Sequence, residues 1–355
     1  IFPESKVPAR LSLSLVGAKD AADPFFVSIE GRTAFLEMSV SGKLKSLDAS
    51  SDFNLTSRIS TQDVSKLSEL VHTDIPITGP VWIEVGLSRD ASLEEGFLNS
   101  TVKVNAEQII AEGAGYLSWP LRKGARMTLH LETASLGNLR RWLPGEWLDP
   151  GRVSVDAAIE MLSPNEQNLN FSLQLGNNDL AGSAQMTFDL PRAIKTRGIG
   201  EQKIGLVGAF SSTRLNLMEI FPAPKPDEKA AEREGALFSS EPLVLDWLAR
   251  LNVDLSFQAS ELITRKFKSE NLSTVINIVD GVLKADSDSG QFSGGSFSLD
   301  FGIDSRAKPY KTDVHFVIDG LVVNQIPALQ GAKLPLQGDV DLDIEISSRG
   351  DSLKE

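Results

Sequence analysis

The chain has 355 residues, 41% hydrophobic and 23% charged, a balance that specifies a folded protein and excludes the low-hydrophobicity signature of disorder. A formal net charge of -13 without any cluster of Lys and Arg excludes recognition of nucleic acid, or of an anionic membrane through a polybasic patch. The absence of Cys excludes disulfides, iron–sulfur clusters and thiolate zinc sites, and no apolar run approaches the roughly 18 residues that cross a bilayer as a helix.

The chain starts at Ile1 without Met or a signal-peptide pattern, which is the expectation for an excerpt of a longer protein whose membrane anchor lies outside it. From residue 53 onward the sequence repeats itself. Shifted by 72 residues, Leu55, Ile59, Val64, Leu67, Leu70, Val71, Gly79, Val81, Ile83 and Leu87 fall on Met127, Leu131, Leu136, Leu139, Trp142, Leu143, Gly151, Val153, Val155 and Ile159. Shifted by a further 187, the second copy meets Val314, Phe316, Ile318, Ile326, Leu329, Gly338, Val340, Leu342 and Ile346. A fourth, interrupted copy starts at Phe210, with Leu217 and Ile220 in its short amphipathic part and Val253, Leu255 and Phe257 in its closing strand. The units lie near 53–88, 125–160, 210–259 and 312–347.

Each unit reads as a period-2 strand, a short segment with apolar residues three and four apart, a Pro/Gly turn and a second period-2 strand. In the first unit, Ser60 or Thr61 is placed to cap a short helix bearing Val64, Leu67, Leu70 and Val71. Further strands fill the spaces between units, and Asp280-Gly281 and Gly294-Gly295 are hairpin-turn dipeptides. Residues 222–235, rich in Pro, Ala and charge, read as a surface loop inserted into the 210–259 unit, followed by a short helix carrying Leu243, Trp247, Leu248 and Leu251. The expected fold is mainly β: an elongated, twisted antiparallel sheet forming a repeating β-groove with a few short helices, one repetitive region over 1–355.

Signals of catalysis are weak throughout. His72, His130 and His315 stand alone, the last two on the solvent-facing parity of alternating strands. Asp339, Asp341, Asp343 and Glu345 alternate with aliphatics along a strand, whereas a calcium loop of the EF-hand type needs a compact turn with a central Gly. There is no G-x-S-x-G elbow or H-E-x-x-H pair, and the scattered Trp82, Trp119, Trp142, Trp147 and Trp247 make no sugar platform. The expectation is a non-enzymatic protein with no cofactor and no metal site.

What the repeats do build is one aliphatic parity on every strand, and an exposed apolar face of any size implies a ligand or a partner. The phrases "LQLGNNDLAGSAQMTFDLPR" from Leu173, "GAFSSTRLNLMEIFP" from Gly208 and "LFSSEPLVLDWLARLNVDLSFQASEL" from Leu237 resemble the AsmA-like proteins of Gram-negative envelopes. So do "INIVDGVLKADSDSGQFSGGSFSLDF" and "KLPLQGDVDLDIEISSRGDS", so that the resemblance runs in order over roughly residues 165 to 352.

The resemblance implies a periplasmic protein anchored to the inner membrane by a segment outside this chain. It further implies a β-groove similar to that of chorein-type bridge-like lipid transfer proteins, carrying phospholipid between inner and outer membrane in support of outer-membrane biogenesis. The partners so implied are phospholipid acyl chains, membranes at the ends of the full-length protein and other envelope proteins, with no nucleic acid. The family offers no catalytic motif to carry over. On parity, the candidate lining of the groove is Val81, Ile83, Val85, Val153, Val155, Ile159, Phe171, Leu173, Phe316, Ile318, Val340, Leu342 and Ile344. The alternative is an assembly scaffold with a protein-packed core that binds outer-membrane proteins, for example by strand addition.

Overall fold

The structure is a computed structural model and describes residues 10–17, 24–46, 51–64, 66, 79–89, 93, 96–106, 108–118, 122–139, 146–188, 203–222, 245–265, 267–323 and 338–350. The chain is mainly β, and its contacts divide it into two units: 1–145 with 151–164, and 146–150 with 165–355.

The first unit holds β1 (Arg10–Val16), β2 (Phe25–Arg32), β3 (Leu36–Leu44), β4 (Phe53–Thr61), β5 (Val81–Arg89), β6 (Phe97–Ala106), β7 (Ile109–Ser118), β8 (Arg126–Thr133) and β9 (Val153–Ser163). Each strand pairs antiparallel with the next in the chain. Among the described residues no pairing joins β1 to β9, so this sheet is open.

The second unit holds β10 (Glu166–Leu175), β11 (Asn178–Phe188), β12 (Ile204–Asn216), α1 (Leu217–Ile220), β13 (Leu251–Ile263), β14 (Lys268–Val279), β15 (Val282–Phe292), β16 (Gly295–Asp304), β17 (Tyr310–Val322) and β18 (Asp339–Gly350). Neighbours again pair in chain order and antiparallel, except that β12 and β13 run parallel.

Three of the sequence repeats share one hydrogen bond. The amide of Val64 donates to the carbonyl of Gly79 at 3.1 Å, that of Leu136 to Gly151 at 3.1 Å and that of Val323 to Gly338 at 3.2 Å. The three glycines have φ of 83°, 101° and 133°, a region that a side chain rarely tolerates, which is why Gly recurs at this position. The helix expected after Thr61 lies for the most part outside the described residues; the Thr61 hydroxyl accepts from the amide of Asp63 at 3.2 Å, and Ser60 lies within β4 opposite Trp82. Leu67, Leu70, Val71, His72, Trp142, Leu143, Leu243, Ile326, Leu329 and positions 223–235 lie outside the described residues.

Three expectations need correction. The 210–259 copy closes differently from the others: β12 leads into α1, and the chain returns to run β13 parallel to β12 rather than antiparallel. A parallel neighbour requires the chain to travel back along the sheet between Asn216 and Leu251. The β15–β16 hairpin turns on Ser293 and Gly294, at φ 47° and 84°, while Gly295 already belongs to β16. Asp280-Gly281 behaves as expected, with φ of 48° and 82°. The helix expected around Trp247 is a single 3-10 turn, Asp246–Arg250, that buries Leu248 completely and leaves Trp247 51% exposed.

Close-packed side chains concentrate toward strand ends. In the first unit Val64, Val81, Ala106, Ile109, Leu136, Leu139 and Val153 are buried around the short turns, and Phe97 and Ala125 at the opposite strand ends. In the second, Leu248 packs with Val253 and Ile278 against Leu206, Leu245, Leu251, Leu255 and Leu283. At Gly42, Gly115 and Gly208, all on the aliphatic side, the room for a Cβ is taken by the neighbouring strand's backbone, at Asn54, Arg126 and Ser183 respectively. Only a residue without a side chain fits at these three crossings.

Candidate functional site: the aliphatic face of each unit

The register aligns aliphatic side chains across every strand. In the first unit Leu13, Ile29, Val40, Ser57, Val85, Val102, Gly113, Leu129 and Ala157 are successive partners from β1 to β9. A second row runs beside it through Met38, Ile59, Ile83, Val104, Ala111, Leu131 and Val155. In the second unit Leu169, Ala184, Gly208, Leu255, Ile276, Ala285, Phe301, Val314 and Ile346 form one row from β10 to β18. Beside it, Phe171 and Phe210 meet edge to face at 5.5 Å across Gly182, where a Cβ would strike the Phe210 ring.

All the nominated residues fall on these two faces. Val81, Val153 and Ile318 are buried near strand ends. Ile83, Val85, Val155, Phe171, Leu173, Phe316 and Ile344 are half-buried, and Ile159, Val340 and Leu342 are exposed. The structure distributes them, with Val81 through Ile159 on the face of the first unit and Phe171 through Ile344 on that of the second. Along the middle of the first unit's face the aliphatic side chains are only partly covered, Leu129 being 42% exposed, and in the second unit's row Leu169, Leu255, Ile276, Phe301 and Val314 are half-buried while Ala184 is buried. A sheet face packed by a second protein layer would bury these positions.

The reverse faces are polar. Across six strands of the first unit, Arg58, Glu84, Lys103, Glu112, His130 and Asp156 are successive register partners of alternating charge. Arg58 and Glu84 meet at 2.7 Å, Lys103 and Glu112 at 3.5 Å, and His130 Nδ1 and Asp156 Oδ1 at 2.7 Å. The hydrogen bond to Asp156 raises the pKa of His130 against the opposing effect of burial, with Asp156, Glu132 and Glu112 adding their charge. His315 is raised in the same way by Asp343, at 3.0 Å, and by Asp300, at 3.5 Å. The carboxylates of Asp339, Asp341, Asp343 and Glu345 stand exposed on this reverse side of β18. A depression of about 490 Å³ lies on the reverse side of β1 to β5, and two of its arginines, Arg32 and Arg58, are already held by Glu37 and Glu84.

The sequence reading missed a polar network at the β11–β12–α1 corner. Arg214 grips Glu219 with two bonds of 2.8 and 3.1 Å, and Asn178 and Asn216 each donate to the same carboxylate at 2.9 Å. These contacts, led by Arg214, hold Glu219 below the usual carboxylate range. Burial alone would raise Asp179, yet the amides of Arg214 and Thr213 and the Ser212 hydroxyl hold it low. The signal lay in the polar residues Arg214 and Asn216, which break the aliphatic parity of β12; only the register shows that they meet Asn178 and Glu261.

Fold and face together define a repeating β-groove protein, with one mostly aliphatic and one polar side to the strands of each unit. Comparison with known proteins adds nothing to this class: no family model matches the chain, and no curated protein or solved structure matches it.

Proposed function

We propose that this chain is a non-enzymatic lipid-binding and lipid-transfer segment, a stretch of a periplasmic bridge that conducts phospholipid between inner and outer membrane. The observation that carries the reading is the pattern of burial. A row of mostly apolar register partners, interrupted at Ser57, Gly113 and Gly208, crosses the strands of each unit, and most of its side chains stay half-buried or exposed, with Ala184 an exception. An acyl chain laid on such a face removes apolar area from water on both partners, at about 0.8 kcal/mol for each methylene covered. Neighbouring rows present equivalent side chains, so a chain moving across the strands exchanges like contacts, and binding stays favourable without deep traps along the way. Headgroups remain in water at the open side, which removes the need for an enclosed polar pocket.

The test is native mass spectrometry of the gently purified chain with lipid extraction, beside a globular control of similar size. Phospholipid carried by the wild type and lost in Val155→Asp and Leu342→Asp variants that still melt cooperatively is the expected result, because each substitution sets a charge on an aliphatic face. A lipid-free wild type overturns the reading and transfers the aliphatic faces to the scaffold alternative, in which envelope proteins cover them.

A further inference from the structure

The aliphatic parity of β12 and β13 changes character along the strands. Side by side across the parallel pair come Leu206 and Val253, Gly208 and Leu255, Phe210 and Phe257, Ser212 and Ala259, and then Arg214 and Glu261. The start of this span is walled by the Leu248 cluster, and its end by fixed charge. Arg214 Nε lies 3.3 Å from Glu261, whose carboxylate also meets Lys268 Nζ at 2.8 Å, and Lys268 reaches Glu270 at 3.0 Å. These side chains keep between 28% and 53% of their surface in water, so they remain accessible to a ligand.

The dimensions fit one lipid lying along the strands. Beyond Val253, which is buried in the Leu248 cluster, the face from the half-buried Leu255 to the charge of Glu261 covers about 20 Å at about 3.3 Å per residue. One leaflet's share of a bilayer core of about 30 Å is about 15 Å, so an acyl chain fits within this span with its headgroup at the charges. The cluster carries both signs: Arg214 and Lys268 offer N–H donors to phosphate oxygens, and Glu261 and Glu270 offer carboxylates to a cation. Counting Glu219, it holds one more negative than positive charge, which disfavours a headgroup whose only charge is its phosphate. We infer that this rim is a headgroup-selecting station on the groove, taking a zwitterionic phospholipid with its phosphate at Lys268 and Arg214 and its primary ammonium between Glu261 and Glu270. The inference rests on the lipid reading above and deepens it.

The experiment incubates the whole chain with vesicles of equal phosphatidylethanolamine and phosphatidylglycerol, re-isolates it and measures both lipids per chain by mass spectrometry. Wild type enriches the ethanolamine lipid about two- to fivefold over the vesicle ratio, the worth of one partly exposed ion pair. A Glu261→Gln/Glu270→Gln variant loses the enrichment and carries the two lipids in the vesicles' own ratio. Lys268→Gln, which removes a phosphate contact common to both lipids, lowers total lipid and keeps the ratio, and serves where the double variant melts without cooperativity. Lipid bound in the vesicles' own ratio, or enrichment unchanged in the double variant, overturns the station. A wild type that takes up neither lipid overturns the lipid reading itself, and the station with it.

Discussion

His130 and His315 occupy the reverse faces with carboxylates on both flanking strands, and this placement makes them groups through which pH near neutrality reaches the fold. A His whose folded-state pKa is raised stabilises the fold fully below its unfolded value, 6.5 here, and loses that contribution as pH rises through the folded value. The chain should therefore gain thermal stability relative to a His130→Gln/His315→Gln variant as pH falls from about 8 to about 6. Melting curves of both proteins over this range decide it; a gap that stays constant, or widens toward alkaline pH, refutes the role. Neither partner was legible in the sequence: parity placed both histidines on the solvent side, while Asp156 and Asp343 come beside them only through strand register.

At the level of elements, two local devices set the register. The alternating charges from Arg58 to Asp156 match only one alignment of six strands, since a slip of one residue turns each charge to the aliphatic face. Lys103→Glu would place three carboxylates in a row with Glu84 and Glu112, and should cost about 0.5–1 kcal/mol in urea unfolding, reduced by added salt. The second device is the shared turn. Gly151 has φ of 101° and open space where a Cβ would point, so Gly151→Ala introduces backbone strain without a clash. A loss of about 1–2 kcal/mol is expected, measured by denaturant titration, with strand content by circular dichroism unchanged. A neutral substitution would mean that the turn relaxes to another conformation. The glycine was visible as a repeated letter in the sequence; the hydrogen bond it accepts from Leu136 was not, because nothing in the spacing says which amide faces its carbonyl.

For the molecule, the proposal divides each strand into a face that matters for lipid and one that does not. Leu342 and Glu345 lie three residues apart on opposite sides of β18, so Leu342→Asp should remove bound lipid and Glu345→Gln should leave it, as measured by lipid per chain. Equal loss in both would point to a general disturbance of β18 instead of occupancy of the aliphatic face. The parallel β12–β13 pair is a departure from the repeat at this scale, and it coincides with the corner where Arg214, Glu219 and Glu261 interrupt the aliphatic rows.

Strand periodicity, the repeated Gly and the short amphipathic turns are local properties, and the sequence by itself determined them: alternation of side chains along a strand follows from backbone geometry alone. That also determined which residues share a parity, and the nominated lining from Val81 to Ile344 lies on the aliphatic faces for this reason. Tertiary structure decided what spacing cannot encode. Which strands are neighbours, the parallel return of β13, the charge ladder behind the first sheet and the Arg214 corner all depend on pairing between residues distant in the chain. So does the openness of the aliphatic faces, because a periodic pattern is identical for a packed core and a bare groove; only the surroundings of each side chain tell them apart.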